Sequence, residues 1–471
     1  MCRRIKVSFR IIACVVLVSL HIFCSVVPAA SQKRSKTTGI HKTSTSLRAG
    51  ASKVNITPPL GVKLIGSKGY PSDDILDDLY VKSLVLSDGD TTLAIVSADL
   101  LYSPLEDITN PVREIVKKKN GIAAENILIC ATHTHSGPEV FRRSKLAPAQ
   151  RKNEDVDQYY LQSLINKMAG SVLIAHQDMK EVKIGAAKGE LPEIIYNRRP
   201  RKDDGLVEMR YTLPLEVTET RRIVTDAEGN VMVIFTVPGK KLEFGPVDPD
   251  VCVLRIENVD GGIVGAFVNF GCHPVTIYPY LNTSISADYP AYTAKVVEEM
   301  EGGICLFGLG LAGNIVPVQR GVEARKQIGK AIGGEALRKL QFVRTKSDVT
   351  LKALKKEIRF PTKQTSLLEE GDYACGKENY VTSEIQVLRI GDVYILGLPG
   401  EVLVEVGLEI KRRAGVEKLF VVTICNDSVG YVCHSRAYEE GGYESGTGTN
   451  LAKGAGEIMV KESLALINEI K

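Results

Sequence analysis

Three histidines of this chain stand at the ends of apolar runs, and they set the chemistry to be considered. Thr132-His133-Thr134-His135-Ser136-Gly137-Pro138 follows the run Asn126 to Ala131, and His273-Pro274 closes Val268-Asn269-Phe270-Gly271-Cys272. In an extended chain residues i and i+2 face the same way, so His133 and His135 can converge on one ion or one substrate. Imidazole nitrogen is a favoured zinc ligand. By itself, a His-x-His is as much at home as two solvated residues in a polar loop, and a single histidine at a strand end is commonly a hydrogen-bonded core residue. Scarcity shifts the balance. Beyond the N-terminal leader and lead-in the chain has five histidines, His133, His135, His176, His273 and His434, and three of them share the strand-to-loop context.

Such residues need rigid elements to aim them, and the hydrophobic pattern supplies those. Tyr80 to Leu86, Thr92 to Ser97, Ile127 to Ala131, Val251 to Ile256, Ile263 to Phe270, Ile304 to Leu309, Ile385 to Ile390, Val393 to Leu398 and Leu419 to Ile424 read as strands. Asp107 to Lys118, Val156 to His176, Tyr289 to Met300, Val322 to Leu340, Val402 to Ala414 and Gly454 to Ile470 read as helices. The alternation implies an α/β body of mixed α+β type, with buried mixed β-sheets flanked by helices, and no internal repeat is visible. Arg198 to Lys241, polar and punctuated by Asp204-Gly205 and Glu228-Gly229, reads as an excursion able to form a hairpin over a site. Lys363 to Tyr380 reads as a second surface insertion.

The N-terminus has the layout of a secretory signal peptide over residues 1–31: basic Arg3, Arg4, Lys6 and Arg10, an apolar stretch from Ile11 to Val27, then small residues at Pro28-Ala29-Ala30-Ser31. Residues 32–46 are rich in Lys, Ser and Thr and read as a flexible lead-in, leaving 47–471 as one catalytic domain. The formal net charge of +4 equals the four basic residues of the leader. The remainder is therefore near neutral, and nothing in its charge argues for nucleic acid or an anionic membrane surface as partner. Of ten cysteines, Cys130, Cys252, Cys272, Cys305, Cys375, Cys425 and Cys433 follow the leader. Without a C-x-x-C pair they do not read as a disulfide scaffold, several sit in apolar runs as small buried hydrophobes, and an oxidising compartment leaves room for one or two bridges.

Several short motifs, taken jointly, resemble the neutral, non-lysosomal ceramidases in their N-terminal catalytic domain. They are Gly50-Ala51-Ser52 with Ile56-Thr57-Pro58, the His133 motif above, Asn197-Arg198, Gly271-Cys272-His273-Pro274, Ser286-Ala287-Asp288-Tyr289-Pro290, Leu398-Pro399-Gly400-Glu401 and Gly430-Tyr431. They run in family order over roughly residues 48–445. The resemblance implies zinc held by His133, His273, Glu401 and Tyr431, with His135 and Arg198 beside it to orient a carbonyl and stabilise its oxyanion. Read without it, Glu401 is an acid at a helix N-terminus, Arg198 a surface ion pair and Tyr431 a packed ring with a bonded hydroxyl.

One departure matters. Those ceramidases carry a nucleophilic serine in a Gly-Asp-x-Ser-Pro run, and the matching run here is Gly313-Asn314-Ile315-Val316-Pro317. Val316 has no nucleophilic atom, so a serine mechanism at that position is excluded and zinc-activated water replaces it. Asn314 either donates into the pocket or caps the turn after the Ile304 to Leu309 strand. Asp288 is a candidate partner for a zinc histidine or an N-cap, and His434 reads as a surface residue close to Tyr431. The resemblance ends soon after Tyr431, so the C-terminal sandwich of longer ceramidases is expected to be missing. The expectation is a secreted, zinc-dependent hydrolase, periplasmic or extracellular, that cleaves an amide-like or ester-like bond. Its partner is a small-molecule substrate, with an N-acyl lipid as the one the resemblance suggests, and membrane contact is left open without integral insertion after signal cleavage. The alternative is a non-catalytic, metal-dependent ligand-binding protein on the same fold.

Overall fold

A computed structural model describes residues 46–65, 70–140, 156–363 and 380–471. The signal peptide, nearly all of the lead-in, and the centre of the second insertion with Cys375 lie outside the described residues.

One connectivity, three antiparallel strands, a helix, a fourth strand parallel to the third and a second helix, occurs three times among the described residues. The first copy is β1 (Arg48–Asn55), β2 (Tyr80–Ser87), β3 (Thr92–Ala98), α1 (Asn110–Asn120), β4 (Ile127–Ala131) and α2 (Gln158–Gln177). The second is β5 (Lys180–Glu190), β6 (Asp250–Asn258), β7 (Ile263–Phe270), α3 (Asp288–Glu301), β8 (Ile304–Leu309) and α4 (Val322–Leu340). The third is β9 (Leu351–Pro361), β10 (Tyr380–Ile390), β11 (Val393–Gly397), α5 (Val404–Arg413), β12 (Lys418–Val422) and α6 (Ala455–Ile470). The parallel pairs are β3 with β4, β7 with β8, and β11 with β12. No repeat shows in the sequence because the copies share connectivity and burial rather than side chains.

The first two copies join edge to edge into an eight-stranded mixed sheet through a short antiparallel contact of β1 with β5, Arg48 opposite Glu181 and Ala49 opposite Lys180. The third copy forms a separate four-stranded sheet. Leu84, Ile95, Leu254, Phe267 and Leu306 of the larger sheet pack with Leu388, Ile395, Phe420 and Val422 of the smaller in one buried apolar cluster. Helices cover the remaining faces through a second, larger cluster that includes Val112, Leu164, Val297, Ile332, Ile410 and Ile467. The fold is thus mixed α+β, with buried mixed sheets between helices.

Local chemistry sets the element ends. Asp157 accepts from the backbone N–H groups of Tyr159 and Tyr160 and caps α2. Pro111 in the first turn and left-handed Gly121 after the last delimit α1, which a π-turn over Leu105–Thr109 precedes. Within the polar excursion, Arg222–Thr225 and Val231–Ile234 form a hairpin, extended by Pro246–Val247. Among the described residues no helix is long and apolar enough to cross a membrane.

Each parallel strand pair ends on one side and opens into loops there. Such carboxyl-end crevices are where open α/β sheets place their ligands.

Candidate metal centre

The loops after β3, β4, β7 and β11 bring Tyr102, His133, His135, His273 and Glu401 together. All of β4 is buried, and past its end Thr132 N–H donates to Ala98 O and His133 N–H to Leu100 O, which binds the His133 loop to the β3 exit. His133 itself adopts φ 67°, the left-handed region that a non-glycine residue occupies only when its surroundings enforce it. His273 N–H donates to Ile315 O. Gly400 precedes Glu401 with φ 80°, and a Cβ there would lie 2.5 Å from Gly430 O, so only glycine lets the two backbones meet. Glu401 N–H then donates to Gly430 O, and Glu401 and Tyr431 become register partners in a two-stranded parallel pair, Glu401–Val402 with Tyr431–Val432.

His133 Nδ1 lies 2.9 Å from Leu101 O, and His273 Nδ1 lies 2.6 Å from Ala312 O. A carbonyl oxygen only accepts, so each Nδ1 carries the proton and each Nε2 turns a lone pair to the other at 3.3 Å. Glu401 Oε2 completes the trio, 3.4 Å from His133 Nε2 and 3.1 Å from His273 Nε2, with no hydrogen-bond donor on it. Tyr102 donates to the other carboxylate oxygen, Oε1, at 2.9 Å. His133 and His273 are at most 1% exposed. Acceptors crowded together in a dry interior repel one another unless a cation sits among them. The imidazoles of buried His133 and His273 and half-buried His135 also offer ligand atoms within 4.8 Å of one another, so this trio could hold a metal ion.

The electrostatics agree with neutral His135 and His273 beside an ionised Glu401. Burial, then the charge of Arg198, lowers His273 to about 4. Burial, then His133 and His273, holds His135 well below the usual histidine range. Burial opposes the charge on Glu401, but His133 and then His273 take its carboxyl well below the ordinary range. Burial first and Glu401 next push the Tyr102 and Tyr431 hydroxyls well up.

The other sequence-derived candidates fall into two groups. Tyr431 stacks against His273, ring centroids 6.5 Å apart, and its hydroxyl accepts from Arg198 Nη2 at 3.1 Å. Arg198 also donates to Gly313 O at 3.0 Å and to Glu444 Oε1 at 2.7 Å. His135 Nε2 is buried without a partner, and Tyr278 lies over its ring at 5.4 Å between centroids. Asn314 is turned elsewhere: Oδ1 accepts from Val404 N–H at the start of α5 and Nδ2 donates to Glu405 at 2.8 Å. Buried Val316 pairs with Tyr196 in a short antiparallel contact and presents no nucleophile. Asp288 accepts from Thr276 N–H and Oγ1 and from Tyr289 N–H, fastening the loop after His273 to the first turn of α3. His434 caps the short helix Ser435–Glu440 by accepting from Ala437 N–H.

Tyr102 and Glu444 escape sequence reasoning. Tyr102 follows β3 as His133 follows β4, and knowledge that those strands are parallel neighbours would have singled it out. Glu444 is fully buried between Arg198 Nε and Arg199 Nη1, both at 2.7 Å, and nothing in Glu-Ser-Gly-Thr announces that.

This architecture, three like units closing on a buried imidazole–carboxylate cluster, is a neutral ceramidase-like fold. The crystal structure of neutral ceramidase from Pseudomonas aeruginosa matches it with a TM-score of 0.70 at 18% identity, over 90% of this chain and 74% of that one. A ceramidase complexed with C2 matches with a TM-score of 0.70 at 18% identity, over 90% and 75% of the two chains. Among curated proteins, Neutral ceramidase A of Dictyostelium discoideum is 24% identical over 216 residues. That stretch is 43% of this chain and spans a quarter of the relative's length, 25%. No family model matches the sequence.

Proposed function

We propose that this protein is an exported, zinc-dependent, ceramidase-like hydrolase that opens an amide-like or ester-like bond, an N-acyl lipid being the favoured substrate class. The observation that supports it most is the trio of acceptors, His133 Nε2, His273 Nε2 and Glu401 Oε2, mutually within 3.4 Å and without a proton donor on the carboxylate oxygen. Two imidazoles, one carboxylate and the nearby Tyr431 phenol make a mixed nitrogen and oxygen donor set of catalytic rather than structural type, since structural zinc sites favour thiolates. When bound there, the ion would polarise a scissile carbonyl and acidify water.

The chain's own groups supply the rest. His135, neutral at physiological pH and with a free Nε2, takes the proton released by attacking water and delivers it to the leaving nitrogen or oxygen, so that amide and water become carboxylic acid and amine. Arg198 stays charged, because Tyr431 and Glu444 outweigh its burial, and faces the oxyanion as it forms. Asn314 acts at one remove, by fixing the start of the helix that follows Glu401. With Val316 in place of serine, water is the nucleophile. Tyr278 over His135 and the exposed Tyr280 two residues on give the approach an aromatic lining suited to an acyl chain.

The test is metal analysis of the purified chain and of His133→Ala, followed by turnover of N-acyl amides and esters. About one zinc per chain, with both zinc and turnover lost in the variant, supports this reading. Stoichiometric zinc with ligand affinity and no turnover of any acyl substrate would replace it with a metal-dependent binding protein.

A further inference from the structure

Cys130 and Cys425 face each other across an isolated antiparallel bridge. The bridge is bounded by Ala131 N–H donating to Ile424 O at 3.2 Å and Asn426 N–H donating to Ile129 O at 2.7 Å. Bonds placed one residue to either side define a non-hydrogen-bonded pair, whose Cα atoms approach to about 4.5 Å. That separation lies inside the range a disulfide spans, about 4.4–6.8 Å. Both residues are buried and belong to the apolar cluster between the two sheets. The Cys130 thiol donates to Val96 O at 3.4 Å. Gly397 makes the room: a Cβ at that position would lie 3.1 Å from Cys425 Cβ and 3.3 Å from its sulfur. Among the described residues no other two cysteines are strand partners, Cys252 standing opposite Asn269 and Cys305 opposite Ala266.

We propose that Cys130 and Cys425 form a disulfide in the mature protein. The bond joins the strand that leads to His133 to the segment that leads to Tyr431, and so braces two sides of the candidate metal centre against each other. Its formation removes one hydrogen from each thiol. The two electrons pass to the disulfide of an oxidising dithiol partner, or to glutathione disulfide, through a mixed disulfide, and that oxidant departs as two thiols. Exchange takes place before the sheets close over the pair, and burial then shields the bond from reductants. Residues Ile424 and Asn426, on either side of Cys425, have φ values of 53° and 60°, and a covalent tie helps to hold a backbone that those conformations strain.

This inference is independent of the hydrolase reading and is tested without an activity assay. The full chain is refolded in a mixture of reduced and oxidised glutathione, denatured with an alkylating reagent present, digested with trypsin and mapped by mass spectrometry before and after reduction. Cys433 falls on the same tryptic peptide as Cys425, so the same mapping of Cys433→Ser assigns the partner. The expected result is a cross-linked Cys130–Cys425 peptide pair, with near-complete loss of alkylation at both positions before reduction and full recovery after it. Recovery of both thiols alkylated before reduction, or pairing of either with a different cysteine, overturns the proposal.

Discussion

The Tyr102 hydroxyl donates to Glu401 Oε1 at 2.9 Å and leaves Oε2 to face His133 and His273. In the proposed zinc site the carboxylate would thus have one oxygen for orientation and one for coordination, the division that outer hydrogen-bond partners impose on ligands in metal sites.

Tyr102→Phe removes that restraint while keeping the ring. Zinc affinity, measured by competition with a chromophoric chelator, is expected to fall about ten-fold, with a stability loss of only about 1 kcal/mol. Unchanged affinity would mean that the hydrogen bond does not orient the carboxylate.

Glu444 lies between Arg198 and Arg199 with no exposed surface. Burial raises its pKa, but the two guanidinium groups outweigh that and keep it ionised. Glu444→Ala leaves buried Arg198 without its carboxylate and Arg199 with only the longer pairing to Glu440 at 3.7 Å, and urea unfolding is expected to show a loss of about 3–5 kcal/mol. A loss below about 1 kcal/mol would show that water replaces the carboxylate and that the clamp is weak.

Asp99 accepts from Tyr80 N–H and Thr132 Oγ1 behind the His133 loop, and burial raises its carboxyl from 3.8 to about 6, with Lys82 pulling the other way. Between those values the folded chain binds more protons at this residue than the unfolded chain does. Its contribution to stability therefore falls as pH rises from about 4 to about 6 and is level beyond. The unfolding free energy of the wild type, less that of Asp99→Asn, is expected to decline by about 2.5 kcal/mol between pH 4 and 7. A difference independent of pH would contradict the raised value.

Gly400→Ala puts a Cβ 2.5 Å from Gly430 O at a φ of 80°. The combined strain and clash should cost about 2 kcal/mol or more in chemical denaturation. Because the substitution parts Glu401 from Tyr431, bound zinc measured by elemental analysis should drop in parallel. Retention of full zinc occupancy would show that the centre tolerates movement of this pair.

Legibility in the sequence follows from where each signal resides. Ile127–Ala131, Ile263–Phe270 and Ile304–Leu309 emerge as read, because a buried parallel strand writes itself as an apolar run. Arg48–Asn55, Lys180–Glu190 and Leu351–Pro361, the opening strand of each unit, do not. Their Lys, Gly and Ala carry little strand propensity, and they are held by register with more apolar neighbours such as β6 and β10. The segment read as a helix from Val402 to Ala414 begins only at Val404, since Glu401–Val402 is drawn off into the pairing with Tyr431–Val432. At the centre, histidines at strand exits stand out by their scarcity. Tyr102, Glu444 and the outward engagement of Asn314 depend on contacts more than 80 residues apart in the chain, which no local pattern encodes.

The three units contribute unequally to the cluster: the first brings His133 and His135, the second His273, the third Glu401 and Tyr431. No third of the polypeptide by itself carries a complete chelator. An ion captured between them would report that all three have docked, so that metal uptake serves as a checkpoint on assembly, and a chain stalled with one unit adrift would be left with isolated, weakly coordinating side chains.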